Sequence, residues 1–144
     1  MKTNLTSERV SLKKLLWVTP IAAIAAFAGV RIVFFIARAT FGLALILPLA
    51  PQYETLGPLT ISILVQATVP PAIGASVLLV ILNRFVSRPM RVFQWIAAIF
   101  LFVSLGSPLF LPPLETSTRI VLGIMHVVAG GAIVGVLSML GKEK

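Results

Sequence analysis

Few residues in this 144-residue chain have side chains that could do chemistry, because 58% of it is hydrophobic and 11% is charged. The candidates for a ligand-binding site are Arg31, Gln66, Ser104, Glu115 and His126. Arginine binds anions, glutamine both donates and accepts hydrogen bonds, and histidine can exchange a proton near neutral pH. Together these groups could bind an anionic or polar ligand, a lipid headgroup or a proton.

Most catalytic and metal chemistry is excluded by composition. The chain has no cysteine, no aspartate and one histidine, so thiolate chemistry, disulfides and histidine-rich metal sites cannot form. A nucleophilic Ser104 with His126 as its base would need Glu115 to orient the ring. No motif for metalloproteases, phosphate-binding loops or serine hydrolases occurs. We therefore expect a protein that is not an enzyme and has no metal and no cofactor.

The elements that must position these residues are membrane helices. Ordinary soluble domains are about 45–50% apolar and about 25% charged, and crossing a bilayer takes about 20 apolar residues. The apolar runs predict an all-α, transmembrane four-helix bundle in a single membrane domain. The expected spans are 15–39, 58–82, 92–111 and 120–140, with an apolar segment at the membrane interface after the first span, ending by Pro48.

Charge patterning predicts the orientation of the spans. The net charge of +8 comes from basic residues beside the apolar runs, which favours lipid headgroups as partners and makes nucleic acid binding improbable. By the positive-inside rule both termini and the loop between spans two and three are cytoplasmic. These charges could instead sense anionic lipid. A cleaved signal peptide ending near Ala28 is disfavoured because the apolar pattern continues beyond it. The basic residues expected to contact lipid headgroups and set the topology are Lys13, Lys14, Arg84, Arg88 and Arg91.

Depth along the spans puts the candidate ligand-binding residues in one half of the membrane. Arg31 lies about 24 Å along the first span from Leu15, at 1.5 Å per residue, and Gln66, Ser104 and His126 come near the same level. The other half is expected to be almost purely apolar. Two interpretations stay open: Arg31 snorkels while the other groups make interhelical hydrogen bonds, or all of them line a pocket. Glu54 or Glu115 could pair with Arg31.

Small residues and prolines predict how the helices meet. Gly123, Gly131 and Gly135 recur at multiples of four in the last span, which is the spacing for close helix packing. They could pack inside one bundle, or form a seam with a second copy or a partner subunit. Pro70 and Pro71 predict a kink or a short break in the second span, because proline removes a backbone donor.

Three short segments resemble a family of uncharacterised four-helix bacterial membrane proteins. They are Val33-Phe34-Phe35-Ile36-Ala37-Arg38-Ala39, then Ser87-Arg88-Pro89-Met90-Arg91-Val92-Phe93 with Ser104 and Pro108, and finally Met125-His126-Val127-Val128-Ala129-Gly130. The resemblance runs from about residue 12 to 140. It implies the architecture, a bacterial inner-membrane location and a Met-His pair in the last span at Met125 and His126. It implies no activity.

Two functions follow as expectations. The first is a small multi-pass protein that acts by binding, as an accessory subunit of a larger membrane complex or as a self-associating scaffold. The second is a small transporter or a ligand- or lipid-binding protein, with its pocket around Arg31, Gln66 and His126. Membrane lipids are partners in both.

Overall fold

The protein is built from long apolar helices. A computed structural model describes residues 9–49, 55–110 and 114–142. Within this part of the chain, four helices are long and apolar enough to cross a membrane, so the protein is an all-α, multi-pass membrane protein. Three of them are α1 (Leu12–Phe41), α2 (Ile61–Phe85) and α5 (Thr116–Leu140). The fourth span, Pro89–Pro108, comprises α3 (Pro89–Ser104) and the first residues of the short α4 (Gly106–Phe110).

The helix ends differ from the expected spans by a few residues. The second helix begins at Ile61 instead of residue 58, because Thr60 caps it by accepting a hydrogen bond from the Ile63 amide at 3.4 Å. The third expected span, 92–111, is divided at Leu105 between α3 and α4, and its last residue lies outside the described part. The first helix ends at Gly42, whose φ of +61° favours glycine.

Helices α1 and α3 each pack against two of the other long helices, whereas α2 and α5 each pack against three. The most extensive packing joins α1 to α5, and α1 also packs on α2, while α3 packs on α2 and α5. An apolar 18-residue stretch of α1 is 33% buried, whereas that of the span Pro89–Pro108, which contains α3, is 11% buried. Helix α3 is therefore the outermost of the four and presents large apolar residues outward, including Trp95, Phe100 and Phe102. In a membrane, lipid or another protein covers such residues.

A short hairpin, absent from the sequence prediction, joins α1 to α2. Strands β1 (Ile46–Leu49) and β2 (Thr55–Pro58) pair antiparallel, with Ile46 opposite Pro58. At its base the Leu59 amide donates to the Leu45 carbonyl at 2.8 Å, and both side chains are buried. They pack in a cluster with Val30, Val121 and Met125, so the hairpin covers one end of the helix assembly.

The opposite end is joined by hydrogen bonds between the first and last described segments. The Ser11 amide donates to the Gly141 carbonyl at 3.0 Å, and Val10 pairs with Lys142 in an antiparallel bridge. The Asn83 side chain at the end of α2 bonds both backbone groups of Val10. Three helix ends are therefore held together here.

The proline pair does not interrupt α2. The helix runs continuously through Pro70 and Pro71, both exposed, and Pro20 lies likewise inside α1. Each proline deprives the carbonyl four residues earlier of its helical donor. The kink expected at Pro70 and Pro71 stays a prediction.

Candidate functional site

The outward face of α5 is a continuous apolar surface. Ile120, Ile124 and Val127 are exposed, and Gly131 follows them on the same side of the helix. A Cβ atom built on Gly131 or Gly135 would meet nothing within 4 Å. This surface, called here the α5 face, therefore has room for the backbone of another helix to come close at its two glycines.

Different glycines pack the helices of this chain against each other. A Cβ on Gly29 of α1 would lie 2.7 Å from Val128 Cγ1 of α5, and one on Gly130 would lie 2.9 Å from Leu101 Cδ1 of α3. An alanine at either position would force the neighbouring side chain to shift, which the flexible Leu101 can do more readily than Val128, whose χ1 is restricted. Among the expected packing residues, Gly123 approaches this role, with Leu105 Cδ2 at 4.0 Å. Gly131 and Gly135 take no part in it.

Arg31 lies on the side of α1 away from the helix core. Its guanidinium carbon stands 5.6 Å from the centre of the Phe34 ring, and Arg38 stands 5.6 Å from the same ring. Both arginines thus contact one aromatic side chain through cation–π interactions. Among the described residues neither pairs with a carboxylate. Glu54, one of the acids expected to pair with Arg31, lies outside the described residues.

The other candidate ligand-binding residues bond within their own segments. Gln66 Nε2 donates to Ser62 Oγ at 3.4 Å on the exposed side of α2, and Ser104 Oγ donates to the Leu101 carbonyl at 2.7 Å. His126 Nδ1 lies 2.8 Å from the Leu122 carbonyl, one turn earlier in α5.

Glu115 also bonds within its own segment, since its carboxylate accepts a hydrogen bond from Ser117 Oγ at 3.3 Å. In the described part of the chain, no hydrogen bond links Arg31, Gln66 and His126 to one another. The pocket expected around these three residues stays a prediction. No cluster of metal-ligating residues occurs within the described ranges either.

An apolar groove of about 370 Å³ lies on the part of the α5 face nearest the start of α5, between α5 and the end of α3. Leu105 forms one wall, and Gly123, Ile124 and Val127 belong to the other. Arg119 stands at one end, where its Nε donates to the Leu114 carbonyl at 3.0 Å. Arg119 was not among the residues predicted from the sequence to bind a ligand, because the groove depends on Leu105 from another part of the chain.

Polar contacts also occur in the half of the membrane expected to be apolar. Thr19 Oγ1 of α1 and Ser76 Oγ of α2 are 2.7 Å apart, while Thr19 also lies 2.6 Å from the Leu15 carbonyl and Ser76 lies 3.0 Å from the Ala72 carbonyl. Asn83, which bonds the backbone of Val10, is a second polar group in this half of the membrane. The available signal was that small hydroxyl residues in membrane helices commonly bond to a carbonyl one turn earlier.

The five basic residues expected to set topology lie at the end of the molecule where Asn83 joins α1. Lys14 Nζ donates to the Lys142 carbonyl at 2.8 Å, and the guanidinium of Arg84 lies 6.0 Å from the Phe85 ring. Trp17 and Trp95 are exposed near the same end. Tryptophan beside cationic residues is typical of a membrane–water interface. The remaining three are Lys13, Arg88 and Arg91.

These observations define a helical multi-pass membrane protein whose outward face carries a groove and two open glycines. Over residues 11–142 the chain matches the model of a family described as "Family of unknown function (DUF6069)". The chain belongs to that family, which confirms the resemblance to an uncharacterised family of membrane proteins. Neither the curated proteins nor the solved structures contain a match to this chain.

Proposed function

We propose that this protein is a non-enzymatic membrane protein that acts by binding another membrane helix along the α5 face, as an accessory subunit or a self-associating scaffold. The observation that carries the proposal is the open space at Gly131 and Gly135, where a Cβ would meet nothing within 4 Å. Membrane helices associate by close packing of small residues, since lipid is as apolar as leucine and gives no hydrophobic driving force.

The neighbouring residues support a seam along the whole α5 face. Ile120, Ile124 and Val127 continue it at helical spacing, and they are about half exposed. Their side chains form a ridge beside the glycines, as in packing of one helix's ridge into another's groove. No atom of the described residues lies within 4 Å of a Cβ built on either glycine, so their spacing is available to a second chain.

The test is native mass spectrometry on protein extracted with its surrounding lipid and without detergent. We expect the wild-type protein to carry a second copy or a stoichiometric second polypeptide. Gly131→Leu fills the space where a partner backbone would approach, so it should release that partner. The matched control is Gly74→Leu, because Gly74 is an exposed glycine of α2 with nothing within 4 Å and no glycine four residues away. A bare monomer for both wild type and control overturns the proposal.

We also propose that the protein lies in a bacterial inner membrane, with both termini in the cytoplasm. The clustering of Lys14 and Arg84 with Trp17 at one end supports this orientation. The chain has no cysteine, so single cysteines report topology without background. A membrane-impermeant maleimide should label Thr116→Cys but not Ser87→Cys in intact cells. The reverse pattern contradicts the orientation.

A further inference from the structure

The groove on the α5 face matches one leaflet of a bilayer in length. Nine residues separate Arg119 from Val128, which corresponds to about 14 Å along a helix. One leaflet contributes about 15 Å of the hydrocarbon core, half of its total thickness. A partner helix would run the full thickness, whereas a lipid chain ends at the midplane. The groove therefore has the length expected for one acyl chain.

Its lining is chemically suited to an acyl chain along most of that length. Leu105 on one side and Ile120, Ile124 and Val127 on the other present only hydrocarbon. The concavity depends on Gly123, since a Cβ there would already lie at ordinary contact distance, 4.0 Å, from Leu105 Cδ2. A larger side chain at this position would extend into the space of the groove.

Arg119 gives the groove a charged end. It lies in the first turns of α5, which begins at Thr116, so it is near the level of the lipid headgroups. Its bond from Nε to the Leu114 carbonyl, at 3.0 Å, holds the guanidinium beside the groove. A guanidinium recognises phosphate well, because its planar donors match two phosphate oxygens. Glu115, the nearby carboxylate, bonds Ser117.

We propose that the groove binds one acyl chain of an anionic glycerophospholipid, with the lipid phosphate at Arg119. The site lies beside the glycines of the proposed helix seam but does not need a second polypeptide to be complete. It shares Ile120, Ile124 and Val127 with the α5 face, so a lipid held here would form part of the surface on which a partner helix packs. A lipid in this groove would cover Ile124 and Val127 and extend the α5 face that a partner meets.

The test places the protein in nanodiscs of equal parts phosphatidylglycerol and phosphatidylcholine and counts the lipids that stay bound in native mass spectrometry. We expect the wild-type protein to retain one phosphatidylglycerol. Arg119→Gln should reduce the preference for phosphatidylglycerol over phosphatidylcholine about tenfold. Both lipids carry a phosphate, but the choline cation of phosphatidylcholine offsets its charge and is repelled by Arg119, so the preference depends on the arginine charge. Arg38→Gln is the matched control, since Arg38 is an exposed arginine on α1 that contacts Phe34.

A second pair of variants tests the groove itself. Gly123→Leu should remove the retained lipid whatever its headgroup, while Gly74→Leu should keep it. Equal phosphatidylglycerol retention in all of these variants overturns the proposal, as does wild-type protein with no headgroup preference. A second polypeptide that is displaced by Gly123→Leu would show that a protein occupies the groove instead. Loss of a partner in Gly131→Leu with the lipid retained would separate this site from the helix seam.

Discussion

Asn83 holds Val10 by both of its backbone groups. Its Oδ1 accepts from the Val10 amide at 3.0 Å and its Nδ2 donates to the Val10 carbonyl at 3.1 Å. This is the pairing that a β-strand neighbour would supply, made here by one side chain. Because Val10 is buried, its amide and carbonyl need these partners.

Asn83→Ala should therefore loosen the start of α1. We expect a loss of about 1–3 kcal/mol in the free energy of unfolding, as for other buried groups left without a partner. Amide hydrogen exchange at Val10 should accelerate by at least the corresponding factor. Arg84→Ala, at the exposed neighbouring position, is the control and should leave exchange at Val10 unchanged. Equal exchange in both variants would show that Asn83 does not hold this segment.

The hydroxyls of Thr19 and Ser76 link α1 to α2 at 2.7 Å. A double-mutant cycle with Thr19→Val and Ser76→Ala should give a coupling energy of about 0.6 kcal/mol, the average for hydrogen bonds between membrane helices. The value is modest because each hydroxyl keeps a carbonyl of its own helix as an alternative partner. The cycle is measured by reversible unfolding in lipid. Additive single effects would mean that the two hydroxyls do not interact.

Substitution by alanine should destabilise the protein more at Gly29 than at Gly131. A Cβ at Gly29 would be 2.7 Å from Val128 Cγ1, and a valine in a helix cannot easily turn away because its χ1 is restricted. Gly29→Ala should therefore be less stable than Gly131→Ala by about 1–3 kcal/mol, the usual cost of overpacking. The comparison needs only the relative unfolding free energies of the two variants. If Gly29→Ala is the more stable of the two, the close approach of α1 and α5 at Val128 is wrong.

Arg31→Leu is expected to leave the helix assembly nearly as stable as the wild type. Its ring contact with Phe34 is worth about 0.5–1 kcal/mol where such a pair is exposed. Phe34→Leu should cost more, since Phe34 also packs against the cluster around Val30 and Met125. Thermal unfolding in lipid distinguishes the two. A large loss on Arg31→Leu would indicate a pairing with a carboxylate in the folded protein.

The helices were predictable because crossing a bilayer demands a run of apolar residues, and the sequence contains four such runs. The hairpin was not predictable, because Ile46–Leu49 continues the apolar run of the first span and its partner strand follows several residues later. Periodicity placed Gly131 and Gly135 on one side of a helix, but it could not say which chain they meet. The interior approaches at Gly29 and Gly130 depend on Val128 and Leu101, which lie on other helices.

The packing of α1 on α5 has a consequence for biosynthesis. Of the four spans, α1 leaves the ribosome before the others and α5 after them, yet each is the other's most extensive neighbour. Until α5 is synthesised, α1 therefore packs only against α2 and the hairpin among its described neighbours. Among the described residues, Val128 alone fills the space beside Gly29, so an intermediate lacking α5 would expose this site to a membrane chaperone or to α5 of another copy.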